Sequence, residues 1–317
     1  MAEKITMEKR PLVIIAGPTA SGKTALSLAV ATAFDAEIVC ADSMQIYRGM
    51  DIGTAKPTAE EQQKAIHHMI DLIWPDEAFS VAQYAVLARK CIDAIQARGR
   101  LPILVGGTGL YIDHVSQNVS LMDMQTDTAY RQELAGFAKT HGNEALHERL
   151  AQVDPDAAAG IHPNNVKRLI RALEVYHVTG RTMTELKKQA LQQSNSPYRC
   201  ISFMPDWPRD ALYARIEQRV DQMFAQGLVG EVRNLIQMGY SKSLNSMQAI
   251  GYKELYDYFY GLDTLQGACD RIKKHTRNYA KRQLTWFRRY DQMRLLLPGS
   301  DMAQSCINQI AQWLQNT

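Results

Sequence analysis

The chain has 317 residues, 46% of them hydrophobic and 22% charged, and a formal net charge of +3. That is the balance of an ordinary soluble globular protein, long enough for one large core plus a satellite domain or for two domains. No run approaches the roughly 18 apolar residues of a membrane span. The five cysteines form no CxxC pair, which argues against a disulfide framework and a zinc site, and so modest a charge leaves any attraction for nucleic acid to local clustering. The charges at Glu3, Lys4, Glu8, Lys9 and Arg10 do not read as a removed leader, and a cytoplasmic protein is expected.

The first element is the apolar run Leu12 to Ala16, of strand length. It leads into Gly17-Pro18-Thr19-Ala20-Ser21-Gly22-Lys23-Thr24, a complete GxxxxGK[ST] loop, and then into the alanine-rich helical stretch Thr24 to Phe34. Glycines let such a loop curl so that its N–H groups face a pyrophosphate, and the helix N-terminus adds its dipole. In that chemistry Lys23 neutralises phosphate oxygens and Thr24 holds Mg²⁺. Two linked phosphates are all the loop itself recognises, so the ligand must be named by the rest of the chain.

A second strand, Glu37 to Ala41, precedes helix Val81 to Arg98 and strand Leu101 to Val105. This alternation predicts an α/β fold, a P-loop NTPase-like parallel sheet flanked by helices, with ligands at the strand C-termini. Asp42, Ser43, Gly106, Gly107 and Thr108 occupy such ends; taken alone, Asp42 reads equally as a turn or cap residue. Strand Leu101 to Val105 ends without the acid expected of a motor ATPase. Read as helical neighbours, His67 and His68 do not face each other and are expected to hold no metal.

From about Val119 to Tyr198 the β-branched runs stop and amphipathic helical stretches take over, punctuated by Gly142, Asp154-Pro155, His162-Pro163 and Gly180. An all-helical insertion over residues 119–198 is expected, within a core of residues 1–118 and 199–317. Pro205 to Pro208 restarts the main body, and from Tyr213 the pattern reads as helix to the end. Arg271 to Arg294 holds nine Lys or Arg against one acid, Asp291. At helical spacing Lys273, Arg277 and Lys281 share one face, while Ile272, Tyr279, Leu284 and Phe287 can face a core. That density favours a phosphate-tracking surface over a merely solvated one, with Lys167, Arg168 and Arg171 of the insertion as a weaker second grip.

The stretch Asp42-Ser43-Met44-Gln45-Ile46-Tyr47-Arg48-Gly49-Met50-Asp51-Ile52-Gly53-Thr54-Ala55-Lys56-Pro57 resembles the hallmark segment of the tRNA dimethylallyltransferases. So do the Gly17 to Thr24 loop, Leu104 to Tyr111, His162 to Asn165, Arg171 to Val175, Gln248 to Glu254 and Lys281 to Arg288, in the family's order from about Pro11 to Arg288. The resemblance implies transfer of a dimethylallyl group from dimethylallyl diphosphate to N6 of the adenosine 3′ of a tRNA anticodon, with Mg²⁺ on Thr24. It implies that Asp42 takes the N6 proton, or else binds Mg²⁺ indirectly, and that Thr19 and Arg219 act on the diphosphate. It aligns Asp42, Ser43, Met44, Gln45, Thr108, Lys167, Arg168, Arg171, Gln248, Gly251, Tyr252, Lys253, Lys281, Arg282, Gln283, Trp286 and Arg288 with tRNA contacts. The family is commonly monomeric, and this chain looks like its shorter bacterial form, without a zinc-finger extension.

Three other readings use the same loop. An adenylate isopentenyltransferase shares the loop and the aspartate but needs neither the basic helix nor the insertion. A nucleoside or nucleotide kinase would show an arginine-rich lid, which is not identifiable between Gly107 and Val153. A nucleotide-gated RNA-binding protein would leave Asp42 without work.

Overall fold

The computed structural model describes residues 9–117, 126–192 and 196–316. Glu3, Lys4, Glu8 and the expected domain boundary at 118/119 lie outside the described residues. In chain order the elements begin with β1 (Arg10–Ala16), α1 (Lys23–Phe34), β2 (Glu37–Ala41), α2 (Ala59–Lys64), β3 (His67–His68), α3 (Val81–Ala97), β4 (Pro102–Gly106) and α4 (Gly109–Ser116). Five helices follow: α5 (Thr128–His141), α6 (Asn143–Val153), α7 (Pro155–Ala159), α8 (Val166–Thr179) and α9 (Met183–Gln192). The chain then forms β5 (Tyr198–Pro205), α10 (Arg209–Ala225), α11 (Leu228–Gln237), α12 (Tyr252–Phe259), α13 (Leu265–Phe287), β6 (Met293–Leu296) and α14 (Met302–Gln315). Two compact units result, one of Met1–Ser116 with Ser196–Thr317 and one of Gln117–Asn195.

The larger unit is built on a six-stranded parallel sheet of order β3-β2-β4-β1-β5-β6. Every residue of β2 and β4, and the last five of β1, is buried. Burial at consecutive positions means that both faces are covered, which is why these strands read as unbroken apolar runs. Helix α1 packs with α14, α3 packs with α4, and all four reach the sheet. A second core gathers Val220 of α10, Leu228, Val232 and Leu235 of α11, Tyr252 and Tyr256 of α12 and Ile272 of α13 around Ile46 and Met50. The loop that follows β2 is thereby anchored on helices far along the chain.

Three local expectations are corrected. The main body resumes not at Pro205 but at Tyr198, with β5 pairing along β1. His67 and His68 form a short edge strand paired with Ile38 and Val39, not a helical turn, and His68 bonds the buried Glu37 at 2.6 Å beside Arg98 at 2.7 Å. The helical reading from Tyr213 to the end is broken by β6, which pairs Met293 with Ser202 and Leu296 with Pro205. As an edge strand with one buried residue, β6 offers only the brief run Leu295 to Leu297 after Arg294, too short to mark a strand.

The smaller unit is all-helical, with Leu134, Leu146, Leu150, Leu169 and Leu173 in its core. Its most deeply buried carboxylate among the described residues, Glu174, meets Arg131 at 2.7 Å and Arg171 at 2.6 Å. Burial opposes the charge, but these partners and the Asp127 amide outweigh it and hold the carboxyl below its ordinary range.

The β2–β4 contact leaves no room at its end, where a Cβ on Gly106 would lie 2.0 Å from the Ala41 carbonyl oxygen. Gly106→Ala should therefore cost about 3 kcal/mol, the upper range for overpacking. Urea unfolding of the variant against the wild type checks this.

Candidate active site

The loop between β1 and α1 takes the form its glycines permit. Gly17 has φ +138° and Gly22, capping α1, has φ +90°, both conformations that a side chain disfavours. Ala20 is also left-handed, at φ +61°, and is held from outside: Arg215 donates from Nε to the Ala20 carbonyl at 2.9 Å. Trp207 donates from Nε1 to the Ser21 carbonyl at 2.9 Å, with the Arg215 guanidinium stacked 4.2 Å from its ring. These bonds tie two loop carbonyls to side chains in and beside α10 and fix the path of the loop before any ligand arrives.

The loop opens on a cleft of about 1430 Å³ that also exposes Asp42 to Gln45, Arg219, Gln248, Lys253, Tyr279 and Arg282. Lys23 donates to the Pro18 carbonyl at 2.6 Å. Burial first, and then the neighbouring Arg219, pull its amine down to about 7, against the attraction of Asp42. Arg219 is likewise lowered by burial and supported by Asp42. Two half-buried basic groups thus share one carboxylate, and a bound diphosphate would favour the charged form of both. Burial and the negative field of Asp42 push the Tyr279 phenol up to about 12, so it faces the cleft as a neutral donor. The same two causes push the thiol of Cys40, two residues before Asp42 and 5% exposed, up to about 12.

One side chain ties the walls together. Gln283 of α13, 5% exposed, accepts the Thr19 N–H at Oε1 (2.9 Å) and donates from Nε2 to the Gly107 carbonyl (2.9 Å). A Cβ on Gly107 would lie 2.1 Å from that nitrogen, so the glycine is required by the approach. Beside it Thr108 Oγ1 accepts the Ser43 N–H at 3.1 Å, and Asp42 Oδ1 accepts the Met44 N–H at 2.9 Å.

The structure brings Thr19 to Thr24, Asp42 to Gln45, Arg219, Gln248, Gly251, Lys253, Arg282 and Gln283 onto the same cleft. Thr108 holds Ser43 from behind. Lys281, Arg282 and Arg288 are exposed on α13, while the Trp286 ring packs against Gly109. Tyr252 and Gln283 are buried, so in this conformation they support the walls and do not offer a surface to RNA. Lys167, Arg168 and Arg171 belong to α8 of the smaller unit, where Arg171 is engaged by Glu174.

The basic face of α13 is corrected in one respect. Lys273 pairs with Asp221 at 2.6 Å and Arg277 with Glu217 at 2.5 Å, both acids of α10. Arg271 meets Asp263 at 2.5 Å. Counter-charges hidden from a reading of α13 alone come from its neighbours, and a seam of ion pairs engages two of the three cations of the expected phosphate-tracking face. Glu231 and Tyr279 also line or brace the cleft without any sequence signal beyond being polar residues on amphipathic helices.

A phosphate-loop motif, two half-buried basic side chains and a carboxylate at the end of β2, one strand removed from β1, share this cleft and define a P-loop transferase. The model of the IPP transferase family matches residues 45–290, and that of the isopentenyl transferases matches residues 10–71. The tRNA dimethylallyltransferase of Oceanobacillus iheyensis is 51% identical over 280 residues, 88% of each chain. The crystal structure of the full-length tRNA isopentenylpyrophosphate transferase from Bacillus halodurans is 46% identical, with TM-score 0.73, covering 97% of this chain and 98% of that one. A eukaryotic dimethylallyltransferase captured acting on tRNA superposes with TM-score 0.80 at 25% identity, over 97% of this chain and 80% of its own. The chain belongs to the IPP transferase family.

The lowered Lys23 amine gives a pH signature. Between about 7 and 10.5 the free protein holds it neutral, and a bound diphosphate draws a proton back onto it; below 7 it is already charged. Binding of dimethylallyl diphosphate at pH 8 without metal should take up close to one proton, read by calorimetry in buffers of differing ionisation enthalpy. No dependence on the buffer would refute the assignment.

Proposed function

We propose that this protein transfers a dimethylallyl group from dimethylallyl diphosphate to N6 of the adenosine 3′-adjacent to the anticodon of a tRNA, releasing diphosphate. The observation that carries this reading is the convergence of Lys23, Arg219 and Asp42 in one cleft large enough for a diphosphate and a nucleoside together. Its support from relatives is that curated proteins about half identical over most of their length are named tRNA dimethylallyltransferases.

The chemistry follows from where the charges lie. Breaking the allylic C–O bond leaves negative charge on diphosphate, which Arg219, the loop and Lys23, protonated once the diphosphate is bound, are placed to stabilise. The N6 lone pair forms the new N–C bond, and Asp42 accepts the proton the nitrogen then sheds. Tyr279 and the β4 end close the far wall. Water is kept from the allylic carbon by filling the cleft from both ends, diphosphate at the loop and adenine at Asp42.

A divalent cation fits this donor set. Among the described residues no group of three or more His, Cys, Asp or Glu could hold a metal, as is usual for Mg²⁺ bound chiefly through substrate phosphates. Thr24 would hold it at the start of α1, beside the Ser21 hydroxyl, which is buried without a hydrogen-bond partner. When bound it would neutralise charge on the leaving diphosphate. The protein acts, on this reading, as a cytoplasmic monomer; no helix among the described residues is long and apolar enough to cross a membrane.

Incubating the protein with anticodon stem-loop RNA and dimethylallyl diphosphate should add one dimethylallyl unit to an adenine, read by RNA mass. Phosphorylated product from ATP and no prenylated RNA would refute the proposal. Asp42→Asn should lower turnover by about 10² or more while diphosphate and RNA affinities stay nearly intact; equal loss of diphosphate affinity would assign Asp42 to the metal instead.

The exposed cations Lys281, Arg282 and Arg288, not the paired Lys273 and Arg277, should carry the RNA contacts of α13. Each phosphate contact contributes roughly −0.7 to the slope of log affinity against log salt for single-stranded RNA. Replacing the three by Gln should flatten that slope by about 2, and replacing Lys273 and Arg277 should leave it unchanged. Filter binding across a salt series checks both.

A further inference from the structure

Glu231 lies outside every segment that the motifs mark. Its carboxylate accepts three successive main-chain N–H groups, from Asp51 (2.9 Å), Ile52 (2.7 Å) and Gly53 (3.1 Å), together with the Tyr252 phenol (2.6 Å). Consecutive amides converging on one anion form a nest, an arrangement proteins more often use for phosphate. Here the anion is built in.

The nest comes from how the loop turns. Lys56 N–H bonds the Asp51 carbonyl at 2.9 Å and Ala55 N–H bonds the Ile52 carbonyl at 3.0 Å, which closes residues 51–56 on themselves and leaves the first three N–H groups facing outward. Gly53 allows the approach, since a Cβ there would lie 2.6 Å from the Tyr252 ring. Glu231 is delivered by a rigid element: Leu228, Val232 and Leu235 of α11 are all buried in the second core. From the turn the contacts run back toward Asp42. Gln45 donates from Nε2 to the carbonyls of Thr54 (3.2 Å) and Ala55 (3.1 Å), three residues beyond the carboxylate that receives the proton.

We propose that Glu231 is a positioning residue for the acceptor RNA: by clasping the amides of Asp51, Ile52 and Gly53 it fixes, through Gln45, the wall along which adenine meets Asp42. The diphosphate cradle is braced by other side chains, Gln283 of α13 and Arg215 of α10. Loss of Glu231 therefore falls on one substrate and spares the other. The inference rests on the transfer reaction proposed above.

Glu231→Gln keeps the volume but turns one acceptor into an NH₂ group facing N–H donors. Transfer is measured with stem-loop RNA and dimethylallyl diphosphate varied separately, alongside direct binding of dimethylallyl diphosphate. The RNA KM should rise at least about fivefold and kcat fall about tenfold, with the diphosphate KM and Kd within about twofold of wild type. A merely destabilised protein loses active molecules, which lowers kcat and moves neither KM, so the RNA KM decides. An unchanged RNA KM, or diphosphate affinity falling in step, overturns the proposal. Should that variant not fold, Tyr252→Phe removes a single donor and keeps the packing. A rise of about twofold in its RNA KM is then expected, and a wild-type value overturns the role. Wild-type protein that transfers nothing overturns the reaction itself, and this role with it, before any variant is made.

Discussion

The amide of Gln283 is the constraint on which the site depends. One buried side chain uses its acceptor on the phosphate loop at Thr19 and its donor on the end of β4 at Gly107. Only a carboxamide offers both groups at that spacing. Glutamate would set an anion against a carbonyl, and methionine would leave two buried main-chain groups unpaired, each a desolvation cost of about 1–3 kcal/mol. Because Gln283 stands near the C-terminal end of α13, the helix that presents cations to solvent is also the back wall of the Gly17–Thr24 loop.

The seam between α10 and α13 completes that arrangement. Glu217 and Asp221 face Arg277 and Lys273 on one side of α10, while Arg215 and Arg219, one turn apart, project to the loop and the cleft on another. Individually these partly exposed pairs contribute little to stability. What they set is the rotation of α10, and with it where the two arginines point.

Most of the fold was legible where burial is two-sided. β1, β2 and β4 are fully enclosed, so each is a continuous apolar run bounded by glycine or a polar turn, and the loop Gly17 to Thr24 declares itself between a strand and a helix. β3 and β6 escaped because an edge strand of two or four residues with exposed positions has no pattern to show, and the interior strand β5 escaped because half-buried Arg199, Cys200 and Ser202 interrupt its apolar residues. The same logic divides the site. Lys23 and Asp42 are readable because their neighbours in sequence supply their meaning. Gln283 is marked only by resemblance, as a tRNA contact and not as a brace, and Glu231 not at all, since their partners lie 264 and 179 residues away and a lone Gln or Glu on an amphipathic helix looks like solvent-facing surface. Helical spacing correctly grouped Lys273, Arg277 and Lys281, but one-dimensional spacing cannot reveal which acids another helix brings to meet them.

Cys40 gives the fold a chemical robustness of its own. The thiolate, not the thiol, reacts with peroxide, disulfides and electrophiles, and burial together with the field of Asp42 leaves almost none of it at neutral pH. The thiol two residues before Asp42 is thus chemically silent. Oxidative stress that modifies exposed thiols elsewhere in a cell would leave this strand end, and the carboxylate it carries, intact.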